Sequence, residues 1–197
     1  GVLTNGESMI DDEGIVLAAV RAMPRWHVIH WGAPGTSTLL CLWVAGRETI
    51  VAVDGFFVTY KGRRRPILDG GLTHVLREVE QARDAAALAT QPATETKDWL
   101  LKQWQAQSPD GVWNFPRGGY VEWAYNGALH VEASDGGPYD HPLPTPLQDV
   151  LVDLGWNPPT STFRNCWLRP GERTEDTAAL CVLTPMAAFG YEAPPPV

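Results

Sequence analysis

Positive charge is scarce in this chain, cysteine is scarcer, and no long apolar run occurs. Fifteen Lys and Arg stand against 23 Asp and Glu, a formal net charge of −8. That balance argues against generic nucleic-acid binding and against docking on anionic lipid, since both draw on an excess of Lys and Arg. The three cysteines, Cys41, Cys166 and Cys181, are odd in number and widely spaced. They suit neither a disulfide framework nor a zinc site and fit reduced, packed thiols in a cytoplasmic protein. No stretch approaches the ~20 apolar residues that cross a bilayer. The opening "GVLTNGESMIDDEG" has no basic segment followed by an apolar one, so no signal peptide is expected, and Met9 is a candidate native start. Phosphate-loop and dinucleotide fingerprints are missing too. "WGAPGTST" has glycines without the G-x-x-x-x-G-K pattern, and no cofactor is expected.

What is present is an ordinary globular balance, 44% hydrophobic with 19% charged residues, and an excess of tryptophan, nine in 197 residues. Tryptophan adds large contact area at low entropic cost, so the excess is compatible with a contact surface as well as with a core.

Apolar residues at helical spacing predict a helix from Asp11 to Met23, closed by Pro24. Four runs rich in β-branched and aromatic residues follow, "WHVIHWG", "TLLCLWVAG", "TIVAVDG" and "FFVTYKG", each cut by a glycine turn, which reads as an antiparallel meander. A helix is expected from Leu68 to Leu88, with Leu72, Val75, Leu76, Val79, Ala82 and Ala86 on one face. Residues 9–90 form a first module. "ATQPATET" is polar and holds a proline, so 91–96 reads as a linker before a second module, 97–191, and a tail, 192–197.

In the second module a helix is expected from Lys97. Then "YVEWAYNGALHVEAS" places Asn126-Gly127 between two alternating runs, the composition of a two-residue type I′ hairpin. That register puts Val121, Trp123, Tyr125, His130 and Glu132 on one sheet face, and Tyr120, Glu122, Ala124, Leu129, Val131 and Ala133 on the other. Neither face is cleanly polar, so the first is a candidate partner surface. A helix follows from Thr145 to Leu154, with Thr145 as N-cap, Pro146 at its first position and Gly155 closing it. Thr160 to Leu168 reads as a strand and Thr174 onward as a helix that Pro185 kinks or ends.

Chemistry-bearing residues are few. His27 and His30 fall three apart on a strand, hence on opposite faces, and no carboxylate or cysteine cluster completes a metal site. His141 beside Asp140 lies in a turn-rich loop. Cys166 and Cys181 alternate with apolar neighbours, as buried thiols do. Asp149 and Asp153 share a helix face opposite the apolar stripe of Leu147, Val150, Leu151 and Leu154. "KGRRRP" reads as a loop that gathers Lys61, Arg63, Arg64 and Arg65, able to meet an anion or an acidic partner. No catalytic residue is assigned.

The order of elements from Tyr120 to Phe189, with Leu154-Gly155-Trp156, Pro158-Pro159 and Asn165-x-Trp167, resembles the actinobacterial TY-Chap group, likened to type III secretion chaperones and to YbjN. Cys166 stands where that group has a second aromatic. The resemblance implies an α+β fold, an antiparallel sheet with helices on one face, built of tandem modules. It also implies a non-enzymatic, peptide-binding role for a secreted effector or toxin. Two other readings stand beside it: a homodimeric structural or regulatory protein, and a hydrolase-type enzyme.

Overall fold

A computed structural model of the chain describes residues 14, 16–30, 38–42, 49–54, 57–68, 70–107, 109–116, 118–134, 146–170 and 174–197, with backbone alone at 30 and 38–42. They belong to two compact units, Gly1–Arg83 and Asp84–Val197. The fold is α+β, with one antiparallel sheet in each unit. The boundary falls inside a helix, several residues before the expected end of the first module.

In the first unit the helix before Pro24 (α1, described at 14 and 16–21) buries Val16 and Val20. The meander follows as expected: β1 (Trp26–His30), β2 (Thr38–Leu42), β3 (Thr49–Asp54) and β4 (Phe57–Tyr60). The sequence "RRRP", expected as a loop, is instead a fifth strand, β5 (Arg63–Pro66), and the sheet order is β1-β2-β3-β4-β5. The hairpin that makes it turns on Lys61 and Gly62 alone, with φ of 50° and 74°. Positive φ at both turn residues is what a two-residue turn needs to match strand twist.

Period-two alternation sends Trp26, Val51, Val53 and Val58 to one side, where Val16, Val20 and Met23 meet them. Helix α2 (Gly71–Leu88) covers the same side with Leu72, Val75, Leu76 and Val79. Glu80 is buried in this layer at 4% exposure. It is tolerated because the Trp26 indole N–H donates to its Oε1 at 3.1 Å and Arg77 donates to its Oε2 at 2.8 Å.

In the second unit, helix α3 (Gln91–Gln105) starts where a linker was expected. Pro92 lies in its first turn, where the missing N–H has no intrahelical partner to lose, so the proline opens the helix rather than breaking it. Three strands follow: β6 (Gly111–Asn114), which the sequence reading did not anticipate, β7 (Tyr120–Tyr125) and β8 (Leu129–Ser134). Helix α4 (Leu147–Leu154) buries Leu147, Val150 and Leu151, and Gly155 closes it at φ 125°. Thr145, the expected cap, lies outside the described residues.

The last strand is short, β9 (Cys166–Leu168), because 160–163 make a turn instead. The Thr160 hydroxyl oxygen accepts from the N–H groups of Thr162 and Phe163, at 3.2 and 3.1 Å. Helix α5 (Thr174–Ala187) runs through Pro185 to its end and is buried on nearly all sides over 177–187. Such a helix is a core helix. Trp156 is 2% exposed and donates to the Thr184 hydroxyl at 2.9 Å. The tail has no regular structure, and the Pro194 carbonyl accepts a hydrogen bond from the buried Thr96 hydroxyl of α3.

Candidate functional site

The loop of the β7–β8 hairpin decides which side chains of the second sheet are reachable. Its register pairs Tyr125 with Leu129, Ala124 with His130, Trp123 with Val131 and Glu122 with Glu132. The loop therefore holds three residues, Asn126 to Ala128, and among them only Gly127 has positive φ. The expected two-residue turn, and the face built on it, are corrected by one position. Because side chains alternate, that single step moves all of β8 to the opposite side relative to β7.

Val121, Trp123 and Tyr125 thus share a face with Leu129, Val131 and Ala133, and not with His130 and Glu132. This face is the core. Val121 is 0% and Trp123 3% exposed, and Trp123 meets the Trp113 ring edge-on at 5.0 Å and Trp99 of α3 at 6.2 Å. Tyr125 is half-buried and tied down, its hydroxyl donating to the Trp104 carbonyl at 2.7 Å. The signal for the true register was present in the sequence. A three-residue loop places every large apolar residue of the hairpin on one side, whereas a two-residue loop leaves both sides mixed.

The opposite face carries the candidate site. Val112 of β6 pairs with Glu122 of β7, Glu122 with Glu132 of β8, and Glu132 with Trp167 of β9, one row across four strands. His130 lies beside it, Nε2 at 3.6 Å from Glu132 Oε1. The 160–163 turn delivers Phe163 onto this face, stacked on His130 at 5.1 Å and on Trp167 at 4.5 Å, with the Arg169 guanidinium 5.1 Å from the Phe163 ring. His130 and Glu132 were expected as partner residues. Glu122, Val112, Phe163 and Trp167 were not, because their placement depends on the corrected register and on a turn that a strand reading hides.

Two carboxyls directly opposite across a ladder repel when both are ionised. The hydrogen bond from Glu132, then burial, then the Glu132 charge push the Glu122 carboxyl up to about 7, with His130 opposing. The Glu122 carboxyl therefore loses its proton near neutrality, well above the usual carboxylate range. Burial, with Arg169 adding, lowers the His130 imidazole, against the pull of Glu122. Burial, then Glu122 and Glu132, raise the Tyr120 phenol.

The edges of this sheet differ. Beyond β9, Asn157 exchanges backbone hydrogen bonds with Trp167 at 3.1 and 3.2 Å, and the Trp167 indole donates to the Pro158 carbonyl. Among the described residues no strand pairs with the outer side of β6, where Val112 is 43% exposed.

The basic segment of the first unit is also sorted by alternation. Arg63 and Arg65 lie on the α2 side and, with Lys61 and Tyr60, line a cleft of about 360 Å³ completed by Val75, Glu78 and Ala82. Arg64 lies on the other side, its guanidinium 3.9 Å from the Phe57 ring. The four expected cations are thus three and one.

Cys166 and Cys181 are buried without a disulfide, and burial raises the Cys181 thiol far above its ordinary value. Asp149 is exposed on α4. His141 and Asp140 lie outside the described residues. Among the described residues no group of His, Cys, Asp and Glu is arranged to hold a metal ion, and no helix is long and apolar enough to cross a membrane. Comparison of the chain with protein-family models, with curated proteins and with solved structures gives no match.

Proposed function

We propose that this chain is a cytoplasmic, non-enzymatic, chaperone-like protein that holds an extended segment of a client protein, as the TY-Chap resemblance implies for a secreted effector or toxin. The observation that carries the reading is the row Val112–Glu122–Glu132–Trp167. It lies on the sheet face turned away from the tryptophan core and ends at the unpaired side of β6. An extended client segment crosses the four strands along this row, with alternate side chains directed onto the sheet. Phe163 and Trp167 offer aromatic contact, and a Lys or Arg of the client takes the place of the proton on Glu122. The burial of Cys166 and Cys181 favours binding over thiol catalysis.

The test is capture of extended synthetic peptides on an array by the full chain. Basic, apolar-alternating peptides are expected to be retained, and Val112→Lys and Trp167→Ala each to weaken capture about tenfold or more, as central contacts do. Equal capture by wild type and both variants removes the reading. A homodimer is the second reading, favoured by Ile29 of β1 and Ile50 of β3, which are 46% and 53% exposed. Light scattering separates the two: a dimer that dissociates on Ile50→Glu supports self-association.

A further inference from the structure

The cleft between the β4–β5 hairpin and α2 belongs to the first unit, and the client face just described belongs to the second. We propose that it binds a compact phosphate-type oxyanion on a small aromatic or aliphatic body. Lys61, Arg63 and Arg65 receive the oxyanion, and Tyr60, Val75 and Ala82 receive the body.

Charge is the first argument. Only 15 Lys and Arg occur in this acidic chain, and three of them line one cleft. Among the described residues the carboxylate that reaches them is Glu78, 3.6 Å from Arg65, and both of those side chains are over a third exposed. An exposed pair of that length holds little of the Arg65 charge. Three cations on one hairpin repel each other, and an oxyanion between them relieves that repulsion while matching the guanidinium fork.

Shape is the second. A volume of about 360 Å³ is within the range of small-ligand sites, and it is lined by an aromatic ring and an apolar helix face as well as by charge.

An added strand is a poor fit as the occupant. In a two-residue hairpin the residues flanking the turn form a hydrogen-bonded pair, here Tyr60 with Arg63, and the next such pair is Val58 with Arg65. The backbone groups of Arg63 and Arg65 are therefore engaged with β4. Outward-facing positions fall to Arg64 and Pro66, and proline has no N–H to donate. With the Arg64 N–H as the single outward donor, the edge of β5 is a poor template for strand addition, and its arginines act through their side chains.

Calorimetric titration of the full chain tests this with inorganic phosphate, phenyl phosphate and a phosphotyrosine peptide. Phenyl phosphate is expected to bind saturably and about tenfold tighter than inorganic phosphate, since the body adds buried apolar area. Arg63→Gln and Lys61→Gln are each expected to weaken it about tenfold. Arg64→Gln, on the far side of the sheet, is expected to change it less than about twofold. A melting curve confirms folding of each variant, and the exposed turn position of Lys61 keeps the test open should Arg63→Gln not fold. A phosphotyrosine peptide that binds tighter than phenyl phosphate identifies a modified protein as the source, and one that binds more weakly identifies a free small molecule. The proposal is overturned if phenyl phosphate does not saturate, if it binds no tighter than inorganic phosphate, or if Arg64→Gln is as damaging as Arg63→Gln.

Discussion

Glu122 keeps its proton to about pH 7 because Glu132, directly across the ladder, hydrogen-bonds its carboxyl, with burial adding to the shift. A carboxyl raised from 4.5 to about 7 binds more protons folded than unfolded over that interval. It therefore stabilises the fold in acid, and the contribution is lost as pH rises through about 7. His130 acts in the opposite direction. Its lowered value means that acid charges it at a cost to the fold, so stability from this group falls as pH drops. Comparison with Glu122→Gln isolates the carboxyl. Relative to the variant, wild type is expected to lose melting temperature between pH 5 and 8, the window around the folded value of about 7. A constant difference across that window contradicts the raised Glu122 carboxyl. Trp123 answers a different question. Because its ring lies against Trp99 and Trp113, Trp123→Ala is expected to cost about 3–5 kcal/mol in denaturant unfolding. His130→Ala, on the accessible face, is expected to cost far less while weakening peptide capture. These two residues looked equivalent in the two-residue register, and the sheet separates them into core and surface.

Among the elements, the hairpins show how turn chemistry competes with packing. Asn126-Gly127 has the preferred composition for a two-residue turn, yet the three-residue loop prevails. It lets Leu129, Val131 and Ala133 join Val121 and Trp123 under the helices, each of them 6% exposed or less. Burial of a hairpin's apolar side chains outweighs a turn preference of a few tenths of a kcal/mol to ~1 kcal/mol. Lys61-Gly62 takes the two-residue turn despite a lysine at φ 50°. A lysine there stores backbone strain, and asparagine enters the left-handed region more readily. Lys61→Asn is therefore expected to stabilise the chain by about 0.5–1 kcal/mol in urea unfolding while weakening phenyl phosphate binding. A loss of stability in that variant contradicts the turn assignment. Helix α3 teaches a related point, since a polar, proline-bearing stretch reads as a linker until the proline's position in the first turn is known.

For the molecule as a whole, the buried thiols report opening of the second unit. Cys166 and Cys181 are each 2% exposed or less, and Cys181 lies within the core helix. In a Cys41→Ser variant, both are expected to resist thiol labelling by about a thousandfold or more relative to the unfolded chain, because labelling must wait for the unit to open. Labelling at the rate of an exposed thiol at either position contradicts the burial. The division into two units also bears on the functional readings. The client face lies in 84–197 and the cleft in 1–83, so each is tested by its own variants.

Composition and local periodicity, which act over a few residues, determined the first helix and meander, the apolar stripes of α2 and α4 and the stop at Gly155. They also singled out His130, Glu132 and the basic run. Tertiary structure alone decided the register of β7 on β8, the pairing of β6, the division of Arg64 from Arg63 and Arg65, and the delivery of Phe163 onto the outer face. The physical reason is that alternation specifies which residues share a side of one strand. Which side is covered, and how two strands are offset, depends on the helices and rings that pack there. Trp99, Trp113 and Trp123 close on one another, and the polar row of Glu122 and Glu132 is left on the accessible side.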